Sequence, residues 1–343
     1  MLTPMIASLM ILAPAQPLER IAMGSCFKAI EPAPIWADVR ASKPQAFLFL
    51  GDNMYFDAKE STGDFDKEYA NLDKYPDYKA LKDSIPFFTT WDDHDFGLND
   101  AGVEYARKAD AQKAFNKYWN VSKESRRQTG EGIYDSAIVG PEGKRVQIIM
   151  LDTRYFRSPL KRDPEGKRGY VGETNPESTL LGSSQWTWLA EELKKPAEIR
   201  LIMSSIQVLP QDHMFEKWMN FPLERERLFK TIKDTSANGV IFLSGDRHLG
   251  ELSMMDAEVG YPLYDLTASA INRSQKNWRP YEVNTNRVWT VNYGNNFGFI
   301  EVDWKQADPA IKLQLRGEGN EVLANQPIRL SWLQAGKIKP RKS

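Results

Sequence analysis

One device recurs along this chain. A short apolar run stops, and side chains bearing carboxylate, amide, thiol or imidazole groups follow at once. Leu18 to Met23 runs into Gly24-Ser25-Cys26, and Ala46 to Leu50 into Gly51-Asp52-Asn53-Met54-Tyr55. Ile85 to Thr90 empties into Trp91-Asp92-Asp93-His94-Asp95-Phe96-Gly97-Leu98-Asn99-Asp100. Downstream, Val146 to Leu151 delivers Asp152-Thr153-Arg154, a run from Arg200 delivers Ser204-Ser205, and Val240 to Leu243 delivers Ser244-Gly245-Asp246-Arg247-His248. Apolar runs this short, closed by turn formers, read as buried strands. In an open α/β sheet the ligand crevice lies at the carboxyl ends of the strands. If the six strands share a sheet, their polar ends converge, and the fold class is α/β.

The segments between them read as helices and loops. Residues 31–45 predict a loop with one short helix, and residues 65–82 two short helices broken at Pro76. Residues 103–119 place Val103, Ala106, Ala111, Ala114, Phe115 and Tyr118 near one helical face. Ser183 or Ser184 can N-cap a helix that carries Trp186, Leu189 and Leu193 and stops at Pro196. Pro222 opens another, through about Lys233. Residues 288–292, 298–302 and 311–315 alternate and predict a meander. The polar stretch from Ser158 to Gly182 is longer than an ordinary connection and reads as a functional loop at the mouth of the site. No composition shift marks a boundary, so residues 16–343 read as one domain.

Composition excludes several classes. With 45 basic and 46 acidic residues the net charge is -1, which gives no reason to expect nucleic acid as a partner. A lone cysteine, Cys26, rules out an intramolecular disulfide. No apolar run is long enough to span a bilayer. Met5 to Leu12 is apolar and precedes Ala13-Pro14-Ala15, which looks like a signal-peptide cleavage site. Residues 1–15 are therefore expected to be a signal peptide, and the protein periplasmic or secreted. The run has no Lys or Arg before it, so a frayed or strand-forming N-terminus is the alternative.

The stretch from Asp92 to Asp100 is hard to hold together without a cation, because its carboxylates repel one another. Each residue also has an ordinary reading. Cys26 alone would be a small buried hydrophobe, Tyr55 a core aromatic, and Asp52 and Asp246 turn residues or N-caps. Asp92, Asp93 and Asp95 would be a solvated charge run, and which of them ligates is open. Asp152 would pair with Arg154, and Arg247 is either a salt-bridge partner or a substrate contact. His213, with Glu216 and Trp218, lines the cleft or sits on a surface loop. Asn53 and Asp265 read as structural.

Taken together, Gly24-Ser25-Cys26, Gly51-Asp52-Asn53-Met54-Tyr55, Trp91-Asp92-Asp93-His94-Asp95 with Asn99, Leu151-Asp152-Thr153-Arg154 and Ser244-Gly245-Asp246-Arg247-His248 resemble the alkaline phosphatase D (PhoD-like) family of calcineurin-like metallophosphoesterases. The resemblance spans residues 24 to 248 in the family's order. It implies a four-layer α/β/β/α sandwich of two mixed sheets with metals at the strand ends. We expect no counterpart of the family's separate N-terminal β-domain ahead of Gly24. Carried over, it makes Cys26, Asp52 and Tyr55 iron ligands, and Asn99, Asp246 and His248 ligands to iron or neighbouring calcium. Asp93 becomes a further ligand or a supporting residue. Arg154 looks suited to gripping phosphate oxygens through its planar fork.

The residues agree on the class of metal. Three histidines, His94, His213 and His248, are too few for the histidine-rich zinc or manganese sites of the wider superfamily. Carboxylate and amide oxygens favour hard cations such as Ca²⁺. A thiolate with a phenolate suits Fe³⁺, so the implied set is one iron with one or two calcium ions. The expected activity is metal-dependent hydrolysis of a small phosphate ester, with phosphodiester or phospholipase-D-like cleavage as the alternative. His94 serves either as general acid or only to orient Asp93. A non-catalytic, calcium-stabilised binding protein is the competing class.

Overall fold

The computed structural model describes residues 16–56, 63–167, 169–275 and 282–337. The expected signal peptide lies outside them. The first strands alternate cleanly. In β1 (Arg20–Gly24) and β2 (Ala46–Leu50), Ile21, Met23, Leu48 and Leu50 face one core, while Ala22, Phe47 and Phe49 face another. Two buried faces on one strand require cover on both sides of the sheet.

β1 and β2 run parallel, with β3 (Phe87–Thr90) beyond β2. The second sheet is built from β4 (Asp135–Val139), β5 (Val146–Met150), β6 (Ile199–Met203), β7 (Val240–Ser244), β8 (Gly250–Met255), β9 (Leu263–Ala268) and β10 (Arg287–Val291), in the order β10-β8-β9-β7-β6-β5-β4. The chain then returns to the first sheet through β11 (Asn296–Asp303), β12 (Ala310–Gly317) and β13 (Val322–Arg329), which gives the order β13-β12-β11-β1-β2-β3. Both sheets are mixed.

Helices cover the outer faces. Trp36 of α1 (Ile35–Ala41), Phe65 and Tyr69 of α2 (Phe65–Leu72), Tyr78 of α3 (Pro76–Lys82) and Phe115 of α5 (Lys108–Tyr118) share an aromatic core with Phe47 and Phe49. Short turns α4 (Asp93–Phe96) and α6 (Arg126–Thr129) flank α5. Trp186, Leu189 and Leu193 of α7 (Gly182–Lys194) and Leu228 and Ile232 of α8 (Pro222–Asp234) join the largely aliphatic core of the second sheet. The layers are α/β/β/α. Among the described residues no helix is long and apolar enough to cross a membrane.

Three expectations need correcting. The six apolar strands do not share a sheet: three lie in each, and their ends meet because the two sheets pack face to face. Residues 288–292 belong to β10, which pairs with β8, so the meander is β11-β12-β13. Neither Ser183 nor Ser184 caps α7; the N-cap position is Leu181. Glu224 of α8 instead accepts the Leu180 backbone N–H at 2.7 Å and the Trp186 indole N–H at 2.8 Å.

Candidate metal centre

Two glycines let the strand ends approach. A Cβ on Gly245, after β7, would lie 2.5 Å from Ser25 Oγ and 3.2 Å from the Leu50 carbonyl oxygen. A Cβ on Gly51, after β2, would lie 2.6 Å from Asp92 Cβ, and its φ of +101° suits only glycine. Past these points the chain turns sharply. Cys26, Asp52, Asp246 and His248 all hold positive φ, between 49° and 66°. Left-handed backbone costs a non-glycine residue about 1–2 kcal/mol, and such strain clusters at functional sites.

The turned side chains converge from both sheets. Cys26 Sγ is 3.4 Å from Asp52 Oδ2 and 3.1 Å from Ser269 Oγ. The Tyr55 hydroxyl donates to Asp52 Oδ2 at 3.1 Å and lies 3.2 Å from His248 Nε2. The His94 ring packs on Tyr55, with centroids 4.1 Å apart, and the His94 backbone N–H points at Asp52 Oδ1 from 3.4 Å. Thiol, phenol, carboxylate and imidazole thus face one centre.

The acidic stretch divides its labour by helix chemistry. Asp92 and Asp95 form a capping box at the start of α4, with the Asp92 backbone N–H 2.5 Å from Asp95 Oδ1. Asp95 also accepts from Asn53, whose amide donates to the Thr90 carbonyl at 2.7 Å. Asp93 Oδ2 accepts the Asp100 backbone N–H at 2.8 Å. Asp92, Asp93 and Asp246 bring candidate ligand atoms within 4.8 Å of one another, as do Cys26, Asp52 and His248, and also Asp52, Asp93 and His94. Asn99 is exposed on the turn after α4.

The arginines depart from expectation. Arg154 is fully buried, and its fork does not face a substrate. Nε donates to Asp92 Oδ1 at 2.7 Å, Nη2 donates to the same oxygen, and Nη1 donates to Glu216 at 2.9 Å. The phosphate-gripping role does not survive this, because the planar fork is saturated by carboxylates. Asp152 does not pair with that guanidinium. It accepts the backbone N–H groups of Arg154 and Tyr155 at 2.9 Å and the Trp91 indole at 2.8 Å. Arg247 is 3% exposed, donates to Glu282 at 2.8 Å and lies over the Phe215 ring. His213 is buried; its Nδ1 accepts from the Phe215 backbone at 3.2 Å and its Nε2 has no partner. The 158–182 segment is folded back on itself through Ser158 and Thr179, and Tyr170 donates to Asp100 at 2.5 Å.

Electrostatics point to a cation. Burial, then the charges of Asp93 and Asp92, holds the Asp52 carboxyl well above its usual range, and burial with Asp92 does the same to Asp246. Burial raises Asp92 to about 6. Burial works against ionised Asp93, yet His94 and Arg154 hold it down at about 2. Burial, then Asp52, pushes up both the Cys26 thiol and the Tyr55 phenol. Burial, then Arg273, lowers His248 to about 4, so its imidazole is neutral and able to ligate. A group of anions that cannot all ionise alone is what a multivalent ion relieves. The donor set fits one. Asp92 Oδ2, Asp93 Oδ1 and Asn53 Oδ1 are buried oxygens with no hydrogen-bond partner, an arrangement proteins otherwise avoid.

Sequence reasoning passed over Ser269, which contacts Cys26, and Arg273, whose guanidinium lies 5.7 Å from the Tyr55 ring centre. Both follow β9, where no glycine or carboxylate closes the strand. Asn53 was read as structural, and its unpartnered oxygen was not visible from spacing.

Comparison with known proteins agrees with this geometry. A family model described as PhoD-like phosphatase matches residues 21–310. Alkaline phosphatase D of Bacillus subtilis (strain 168) is 25% identical over 209 residues, which cover 54% of this chain and 35% of that protein, about a third of its length. Among solved structures, PhoD superposes with a TM-score of 0.68 at 19% identity, over 95% of this chain and 74% of that one. GAP50 of Plasmodium, described as an anchor in the inner membrane complex, gives 0.58 at 14% identity, over 92% and 89%. At these identities the two structures speak to the fold alone.

Proposed function

Because this chain belongs to the PhoD-like phosphatase family, we propose that it is a metal-dependent phosphoric ester hydrolase that releases phosphate from organic monoesters. One observation carries the reading: a thiol, a phenol, a carboxylate and an imidazole from two sheets meet at Cys26, Tyr55, Asp52 and His248. Cys26, Asp52 and Tyr55 are assigned to Fe³⁺. Asp93, Asn99, Asp246 and His248 are assigned to the iron or to Ca²⁺ beside it. Bound ions of this kind acidify a water nucleophile and neutralise charge on the phosphoryl oxygens.

The protein's own residues prepare for that chemistry. Arg154 anchors Asp92 and Glu216, so both carboxylates keep their positions. His94, packed at a tilt on Tyr55 and half-buried, is assigned as the proton donor to the leaving alkoxide. Replacing it should slow esters of poorly acidic alcohols far more than nitrophenyl esters.

A phosphodiester is the second reading. A cleft of about 780 Å³ is walled by His248, Asn272 and Arg273, and another of about 410 Å³ by Lys28, Met54 and Tyr55. Two clefts meeting the Tyr55–His248 pair leave room for two organic groups. Rates on nitrophenyl phosphate and on its bis ester, before and after a chelator, decide between the readings. A third result, no turnover of either ester with metal bound, would place the chain with non-catalytic users of this fold.

A further inference from the structure

The two arginines that flank the motifs are already engaged: Arg154 by Asp92 and Glu216, Arg247 by Glu282. Yet hydrolysis at phosphorus leaves oxygens that cations on the protein ordinarily hold. Arg273 meets the requirement. Its guanidinium lies 5.7 Å from the centre of the Tyr55 ring, and it lines the 780 Å³ cleft together with His248. Its side chain is 35% exposed, against 0% for Arg154 and 2% for Arg247. Its Nε, on the buried side of the fork, has no hydrogen-bond partner. Nη1 donates to Glu31 at 2.9 Å, an ion pair whose carboxylate is itself 38% exposed.

Its position is fixed against the thiol loop. The Ile271 backbone N–H donates to the Ser25 carbonyl at 3.1 Å. Asn272 Oδ1 accepts the Lys28 N–H at 2.8 Å, and Asn272 Nδ2 donates to the Lys28 carbonyl at 2.9 Å and the Glu31 carbonyl at 3.0 Å. These bonds staple the residue before Arg273 to the turn that follows Cys26. The guanidinium is thereby held beside the Cys26–Tyr55–His248 cluster rather than left on a wandering loop.

We propose that Arg273 is the residue that holds the non-bridging phosphoryl oxygens of the substrate, with Glu31 keeping the guanidinium in place until the ester enters. This rests on the phosphatase reading. The test is competitive inhibition by inorganic phosphate, with metal content measured on each variant. Arg273→Ala should weaken phosphate inhibition and raise KM roughly tenfold or more, the loss expected for a charge-assisted hydrogen bond, and Arg273→Lys should recover part of it. Glu31→Gln, which releases the fork, should tighten phosphate binding; a merely structural arginine would not respond that way. Metal-loaded Arg273→Ala that binds phosphate as well as wild type overturns the proposal, as does weaker binding in Glu31→Gln. Calorimetry with inorganic phosphate reads the same contact without turnover. A chain that binds phosphate through Arg273 but hydrolyses nothing would sink the phosphatase reading and leave this inference standing.

Discussion

The Tyr55 hydroxyl lies 3.2 Å from His248 Nε2, although 193 positions separate the two residues. Tyr55 follows a strand of one sheet and His248 a strand of the other. This contact closes the gap between the sheets over the candidate metal centre. Tyr55→Phe keeps the ring that packs on His94 and removes only the oxygen. Activity should fall by roughly 100-fold or more, while the denaturant midpoint measured in chelator, with no metal bound to either protein, moves little. Steady-state kinetics and unfolding on the same variant check both.

Arg154 makes the opposite prediction. It is buried against Asp92 and Glu216, so Arg154→Ala leaves two carboxylates without their partner. The loss of stability should be about 3–5 kcal/mol. Arg154→Lys should not restore it, because an ammonium cannot bridge two carboxylates as the fork does. Urea unfolding measures both variants, and a KM unchanged in folded Arg154→Lys would agree with an anchoring role.

Removing metal should destabilise the fold as well as stop turnover. Asp52, Asp92, Asp93 and Asp246 crowd one pocket, and burial opposes the ionisation of all four. A ligand held at about 1,000 times its Kd contributes about 4 kcal/mol. A chelator should therefore lower Tm by several degrees, and Asp246→Asn should show a smaller chelator effect than wild type. Calorimetric scans with and without chelator read it.

His213 gives a pH prediction separate from the metal. Burial, then the charges of Arg247, Lys217 and Arg287, holds its pKa well below the ordinary 6.5. Below that ordinary value the unfolded chain takes up a proton that the folded chain refuses. The unfolded state then binds more protons, so stability rises with pH and is lost as pH falls below about 6.5. The slope is about 1.4 kcal/mol per pH unit for one proton. His213→Gln should remove that part of the acid sensitivity, as unfolding at pH 7 and pH 5 would show.

Much of this was readable in the residues. Short, mostly apolar runs announced β1, β2, β3, β5, β6 and β7, the pattern common in strands covered on both faces. β4, β8, β9 and β13 were missed: β4 and β13 are sheet edges, half-exposed and polar, with Pro327 in β13, while β8 and β9 lie inside their sheet but carry polar residues in the run, Glu251 and Ser253 in one and Asp265 and Thr267 in the other. The Gly-Asp turns marked the site because only glycine tolerates the approach of neighbouring strand ends. Which arginine faces the cleft was not legible. Arg154 beside Asp152 looks like a free fork until Asp92 and Glu216 are brought against it from elsewhere in the chain. Arg273 carries no motif, and only packing places it near Tyr55.

Elemental analysis joined to a visible spectrum, on protein purified without added metal, reads whether iron sits against Cys26 and Tyr55. Iron together with calcium is the expected result, with a tyrosinate-to-iron absorption band that Tyr55→Phe abolishes. Colourless, iron-free protein that still hydrolyses phosphate esters after exhaustive chelation would contradict it.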